Sequence, residues 1–233
     1  MAEPYVSVVI PALNEAEAIA GVVASVRGRV DRVVVADNGS TDDTAKRART
    51  AGAEVVHVPI AGYGRACLAG IEAARDSDII VFMDGDASDD PADLSALLAP
   101  ILAGEADFAV GSRLRGDVEA GALTLPQRFG NRLACTLMRL IWKSRFTDLG
   151  PFRAIRRDAL ERLGMHAPTY GWTVEMQVRA LKAGLPYAEV PVSYRRRIGV
   201  SKISGTARGV VLAGWYILST IAREAASRGS VSR

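Results

Sequence analysis

Asp84-Gly85-Asp86 places two carboxylates one residue apart directly after the apolar run Ile79-Ile80-Val81-Phe82-Met83. Such a run reads as a buried parallel strand, and its carboxyl end is where open α/β sheets bind ligands. Hard oxygen donors at that place suit Mg²⁺ or Mn²⁺, and an ion held there would neutralise a nucleotide diphosphate. Two further strand ends carry polar groups. Val6-Ser7-Val8-Val9-Ile10 runs into Pro11-Ala12-Leu13-Asn14-Glu15, where Pro11 is expected to stop the strand and Asn14 to cap a helix over 15–26. A strand over 32–36 ends in Asp37-Asn38-Gly39-Ser40-Thr41-Asp42, with Ser40 or Thr41 expected to cap the next helix. In a parallel sheet Asn14, Glu15, Asp37, Asp84 and Asp86 share one rim.

Other residues each admit a chemical and a plainer reading. Gly62-Tyr63-Gly64-Arg65-Ala66 opens a helix, so either its free N–H groups and Arg65 take an anion or the glycines only shape a turn. Arg195-Arg196-Arg197 is followed by Gly199-Val200-Ser201-Lys202. Arginine forks grip phosphate oxygens in pairs and lysine adds a point charge. A cluster meant for nucleic acid is spread along a helix with aromatic interleaving, so a donor or acceptor phosphate is the better reading. Glu175 lies among apolar neighbours, where an acid is costly unless partnered. Asp148 stands before a core strand, either as a functional acid or as a cap or arginine partner, Arg153 being at hand. His57 and His166 read as structural or surface residues, and Trp142, Trp172 and Trp215 as packing.

The elements that must position these residues alternate. Strands are expected near 6–10, 32–36, 54–58, 79–83 and 107–111, with helices over 15–26, 41–51, 64–74 and 92–103 between them. That rhythm implies right-handed crossovers and a mostly parallel sheet flanked by helices. It then breaks: a long helix over 125–142, a strand over 152–156, a helix over 172–183, a strand over 187–192 and a last helix over 207–227. At 233 residues and 49% hydrophobic content the chain can bury one α/β core. Cys67 and Cys135 are too few for a disulfide framework or a zinc site, which points to a reducing compartment. Met1 to Pro4 reads as a short lead-in rather than a signal peptide. The net charge of +3 is unevenly placed, with eight basic residues and one acid, Glu224, from Arg195 onward. The apolar run 209–222 is too short to span a bilayer. It reads as a core helix, a subunit contact in a homo-oligomer, or an interfacial helix with Trp215 and Tyr216 at headgroup level.

In their order and spacing, Pro11-Ala12-Leu13-Asn14-Glu15, Asp37-Asn38-Gly39-Ser40-Thr41-Asp42 and Asp84-Gly85-Asp86 resemble the GT-A glycosyltransferases of family 2. Gly111-Ser112-Arg113, Thr147-Asp148-Leu149-Gly150-Pro151-Phe152-Arg153 and Arg195 to Lys202 resemble the branch that includes dolichyl-phosphate mannose and glucose synthases. One departure stands out: Asp86 is followed by Ala87-Ser88 where that branch has Leu-Gln, leaving Ser88 as the substitute for a helper contact.

The resemblance implies a single GT-A domain over 1–233, with a nucleotide-binding half (1–111), an acceptor-binding half (112–205) and a C-terminal apolar and basic helix and tail (206–233). It implies inverting, Mg²⁺- or Mn²⁺-dependent transfer of a hexose from a UDP- or GDP-sugar to a polyprenyl phosphate, at the cytoplasmic face of a membrane and without nucleic acid. Asp37 would bind the base, and Pro11, Ala12, Asn14, Glu15, Arg65 and Gly85 would line the donor site. Asp84 and Asp86 would form the metal site, Asp86 as direct ligand. Arg113, Arg128, Arg196, Arg197 and Lys202 are the phosphate-binding candidates. A phosphate acceptor is already anionic near neutrality, its second pKa being ~6, and needs no strong base. For a soluble hydroxyl acceptor Glu175 or Asp148 would have to take a proton. A sugar nucleotidyltransferase is the other alternative, but the loop after the first strand lacks the expected glycines.

Overall fold

The computed structural model describes residues 3–199 and 207–227. Seven strands form one sheet: β1 (Val6–Ala12), β2 (Arg32–Asp37), β3 (Glu54–His57), β4 (Ile79–Phe82), β5 (Phe108–Ser112), β6 (Arg153–Arg156) and β7 (Tyr187–Pro191), in the order β3-β2-β1-β4-β6-β5-β7. The helices are α1 (Ile19–Val26), α2 (Thr44–Thr50), α3 (Tyr63–Ala73) and α4 (Leu94–Leu102) in the first half. The second half adds α5 (Leu125–Trp142), α6 (Arg157–Leu163), α7 (Trp172–Lys182) and α8 (Ala207–Ala226).

The strands are buried on both faces because their residues alternate between two cores. Val9, Val34, Ile80, Phe82, Phe108 and Ile155 pack beneath α3, α5, α6, α7 and α8. Val8, Ile10, Val33, Val35, Val81 and Ala154 pack against α1, α2 and α4. This two-sided cover is why the strands read as continuous apolar runs. Gly70 lets α3 sit directly on β1, since a Cβ there would fall 2.2 Å from a Val9 methyl.

All pairings are parallel except those of β6, which runs antiparallel to both β4 and β5. The sequence reading did not foresee this reversal, nor the short α6. Pro11 does not stop β1, which runs on to Ala12. The carbonyl of Val9 accepts from Met83 N–H, so Pro11, two residues on, faces the same side after β4 has ended and no ladder donor is lost. Helix α5 starts where its capping box dictates: Thr124 Oγ1 accepts from Gln127 N–H, and Gln127 Oε1 accepts from Thr124 N–H at 2.8 Å. Helix α8 packs across α5 and α7. Trp172 is core, edge-on to Phe82, whereas Trp215 is 68% exposed. Among the described residues, no helix is long and apolar enough to cross a membrane.

Candidate active site

The carboxyl ends of β1, β2, β4, β5 and β7 open on one rim. The reversed β6 adds the residues that precede it, because Arg153 pairs with Phe82 at the end of β4. Leaving β1, residues Pro11, Ala12, Leu13 and Glu15 line a cleft of about 350 Å³. Asn14 takes a left-handed turn, φ 53°, and ties this loop to the next strand end. Its N–H donates to Ser40 Oγ at 2.9 Å, and its Oδ1 accepts from Thr41 N–H at 2.8 Å. Asn14 is therefore not a helix cap, and α1 begins only at Ile19. Nor do Ser40 or Thr41 cap α2; Asp42 Oδ1 accepts from Thr44 N–H at 3.0 Å instead.

Asp37 is buried behind the cleft rather than lining it, with Oδ1 accepting from Ser40 N–H at 3.1 Å and His57 Nδ1 lying 3.6 Å from Oδ2. Its neighbour Asn38 lines the cleft and accepts from Gly62 N–H at 2.7 Å. The glycines of the 62–66 motif serve close approach: a Cβ on Gly64 would lie 1.8 Å from the Ala167 carbonyl and one on Gly62 2.4 Å from that of Pro168. The plainer reading of that motif holds. Arg65 N–H donates to Pro168 O, and its guanidinium folds back onto the Ala61 carbonyl at 2.9 Å, so Arg65 is not part of the cleft wall.

Asp84, Gly85 and Asp86 form the cleft floor. Tyr63 Oη donates to Asp84 Oδ1 at 3.3 Å. Burial and the adjacent Asp86 charge push Asp84 up to about 7, against Arg197, Arg113 and the Tyr63 hydrogen bond. Asp86 is held from behind. A left-handed Ala87, φ 63°, brings Ser88 round so that its N–H and Oγ donate to Asp86 Oδ1 at 2.9 and 2.5 Å. Ser88 is fully buried, so it orients Asp86 and does not reach into the cleft. Asp89, also buried, accepts from Asp84 N–H at 3.1 Å. Among the described residues no three His, Cys, Asp or Glu side chains converge into a complete metal cage. Two hard carboxylates fit a divalent ion that keeps water ligands and draws others from substrate phosphates.

A second cavity, about 440 Å³, meets the first at Asp84, Asp86 and Arg197. Its polar end adds Arg113 and Tyr194; its long wall is apolar, from Phe129 and Leu133 of α5 and Ile217 and Leu218 of α8. Asp148 grips Arg113 at three points: Arg113 N–H and Nε donate to Oδ2 at 2.8 Å and Nη2 to Oδ1 at 2.7 Å. Burial alone would lower the Arg113 pKa; the Asp148 charge overrides it and keeps the guanidinium protonated. Arg113 also stacks 5.0 Å above the Tyr194 ring. Asp148 thus pairs with Arg113, not Arg153, and is fully buried, so it has no open oxygen for a base's work. Arg153 instead donates to the carbonyls of Leu149, Gly150 and Thr173, and burial brings its pKa down to about 10.

Of the other predicted cations, only Arg197 reaches the site, bridging Glu15 Oε1 at 2.8 Å and Asp86 Oδ2 at 3.2 Å. Arg196 points away to Glu119 and the Ala120 carbonyl. Arg128 lies on the exposed face of α5 outside both cavities, and Lys202 lies outside the described residues. Glu175 is not at the site either. Its Oε2 accepts from Ala167 N–H at 2.8 Å and from His166 N–H at 3.2 Å, and its Oε1 meets His166 Nδ1 at 2.9 Å and Arg179 at 3.4 Å. The acid is buried because it fastens the 166–167 turn to α7, and it lines neither cavity. Sequence reasoning missed Tyr63 and Tyr194, each beside a motif that was read, and Thr169, Tyr170 and Tyr216 of the cleft wall, which carry no local signal.

A mostly parallel sheet with helices on both faces and acidic strand ends on one rim defines the Rossmann-like GT-A class. The chain belongs to glycosyl transferase family 2, whose model matches residues 7–164, and it is a glycosyltransferase. An uncharacterized glycosyltransferase of Mycobacterium tuberculosis is 38% identical over 225 residues, covering 94% of this chain and all of that one. A polyprenol monophosphomannose synthase of Mycolicibacterium smegmatis is 34% identical, covering 85% of this chain and 81% of the relative. Among solved structures, glucosyl-3-phosphoglycerate synthase from Mycobacterium tuberculosis, in complex with Mn²⁺, uridine diphosphate and phosphoglyceric acid, superposes with a TM-score of 0.79 at 26% identity. That match covers 97% of this chain and 80% of the other.

Proposed function

We propose that the protein is an inverting, divalent-metal-dependent hexosyltransferase that carries a sugar from a UDP- or GDP-sugar to a polyprenyl phosphate at a membrane surface. The observation that carries this reading is the second cavity: an apolar trough between α5 and α8 whose only cationic groups, Arg113 and Arg197, stand where it meets Asp84 and Asp86. A prenyl chain fits such a wall, and its phosphate fits a preorganised guanidinium. Pro11, Ala12, Glu15 and Asn38 line the donor cleft, with Asp37 stiffening the base pocket from behind. Asp86 and Asp84 would hold Mg²⁺ or Mn²⁺, which supplies charge neutralisation to the departing diphosphate. The solved relatives with Mn²⁺ or Mg²⁺ and uridine diphosphate support that assignment.

Arg113, locked by Asp148, orients an acceptor oxygen that is already anionic. No carboxylate base is then required, in keeping with the buried, occupied states of Glu175 and Asp148. Attack from the acceptor cavity on a sugar in the donor cleft comes from the face opposite the diphosphate, which inverts the anomeric centre. The exposed apolar side chains of α5 and α8 support a peripheral position at the bilayer. Incubation with labelled UDP- and GDP-sugars and a panel of polyprenyl phosphate, free polyprenol and phosphoglyceric acid tests the reading. The expected product is a chelator-sensitive glycosyl polyprenyl phosphate. Transfer to phosphoglyceric acid alone would reject the lipid acceptor.

A further inference from the structure

Arg197 occupies the one oxygen of Asp86 that faces the cleft. Oδ1 is already taken twice by Ser88, through its N–H at 2.9 Å and its hydroxyl at 2.5 Å. Oδ2 remains, and Arg197 Nη1 sits on it at 3.2 Å while Nη2 reaches Glu15 at 2.8 Å. The same side chain lines both cavities, so it stands at the junction through which donor and acceptor must meet. We propose that Arg197 is a counter-ion latch: it holds the metal-facing oxygen of Asp86 in the ligand-free enzyme, and a divalent cation must displace it to reach that oxygen. This inference rests on the metal-dependent reading above.

Three observations support it. The Arg197 guanidinium is incompletely bonded, because its Nε is buried without a partner, and an under-satisfied group gives up its position more readily. Its backbone, by contrast, is fixed. Arg195 N–H donates to Ser88 O at 2.8 Å and Ile198 N–H to Asp86 O at 2.9 Å, zipping 195–198 onto the 86–88 turn. Release is therefore a side-chain rotation about a held backbone. Finally, one oxygen cannot serve a guanidinium and a dication at close range, since like charges beside a part-buried carboxylate repel strongly. Rotating off Asp86, the guanidinium stays within the acceptor cavity wall that it shares with Arg113, where a phosphate would be its next partner.

Electron paramagnetic titration of Mn²⁺ without nucleotide, on the full chain, tests the latch directly. Arg197→Met keeps the aliphatic stem and removes the charge, and should bind Mn²⁺ about tenfold more tightly than wild type, the scale of one neighbouring unit charge. Arg197→Lys should stay near wild type. Should Arg197→Met fold poorly by circular dichroism, Arg197→Gln gives the same comparison. Equal or weaker Mn²⁺ binding by the folded neutral variant, with Asp86→Asn abolishing it, overturns the latch and leaves the metal site standing. Mn²⁺ binding that survives Asp86→Asn unchanged overturns the metal reading itself.

Discussion

Two buried carboxylates at this site's margins have different partners and so different consequences. Asp148 is bound bidentately to Arg113, and Glu175 is bound to the 166–167 turn and Arg179. Asp148→Asn leaves Arg113 buried without its counter-charge, at a cost of about 3–5 kcal/mol, and also frees the guanidinium that faces the acceptor cavity. Both urea stability and turnover should fall. Glu175→Gln keeps shape but gives up charge-assisted bonds to two N–H groups and Arg179, a loss of about 1–3 kcal/mol. Here urea stability should drop while kcat stays close to wild type. A Glu175→Gln enzyme that is stable yet inactive would restore Glu175 as a base.

At the scale of elements, α8 is joined to α7 by a charged clasp. Glu224 Oε1 meets Arg179 at 3.1 Å and its Oε2 meets Lys182 Nζ at 2.8 Å. Burial pulls the Glu224 pKa up, but the Lys182 hydrogen bond and the charges of Arg179 and Lys182 outweigh it and leave the group below the ordinary carboxylate range. A depressed pKa means the clasp contributes fully above the unfolded value and is lost as pH falls through the lower folded value. Amide exchange in α8 should therefore accelerate on acidification below the normal Glu range, before the β1–β4 core opens. Glu224→Gln should show the fast exchange already at neutral pH. Because α8 supplies one wall of the acceptor cavity, this clasp bears on function as well as stability.

For the whole molecule, the exposed apolar groups are concentrated on one side. Leu125 and Phe129 of α5, and Val211 and Trp215 of α8, are each more than two-thirds exposed, and Arg128 and Arg132 share α5 with them. A surface of this composition is suited to an anionic bilayer interface. Flotation with vesicles should show binding that rises with anionic lipid and falls with salt. Phe129→Ser with Trp215→Ser should abolish it without loss of the folded state. Binding equal to wild type in that double variant would move the membrane contact elsewhere.

The first half of the chain was legible because its signals are local. Apolar runs of strand length, each closed by a polar turn, located β1 to β5 and put Asp37, Asp84 and Asp86 on one rim without knowledge of any long-range contact. Capping chemistry at Thr124 likewise set the start of α5. What the local pattern could not contain was which side chain meets which. The antiparallel insertion of β6 between β4 and β5 brings Asp148 to Arg113, an encounter across 35 residues. The packing of 167–168 against Gly62 and Gly64 turned an apparent anion loop into a close contact, and Glu175 became a structural acid because the 166–167 turn folds back over its helix. Periodicity is a property of neighbours along the chain, so it determines elements and the rim they share. Partners of buried charges are chosen by sheet order and helix packing, and those were decided only when the two cores closed.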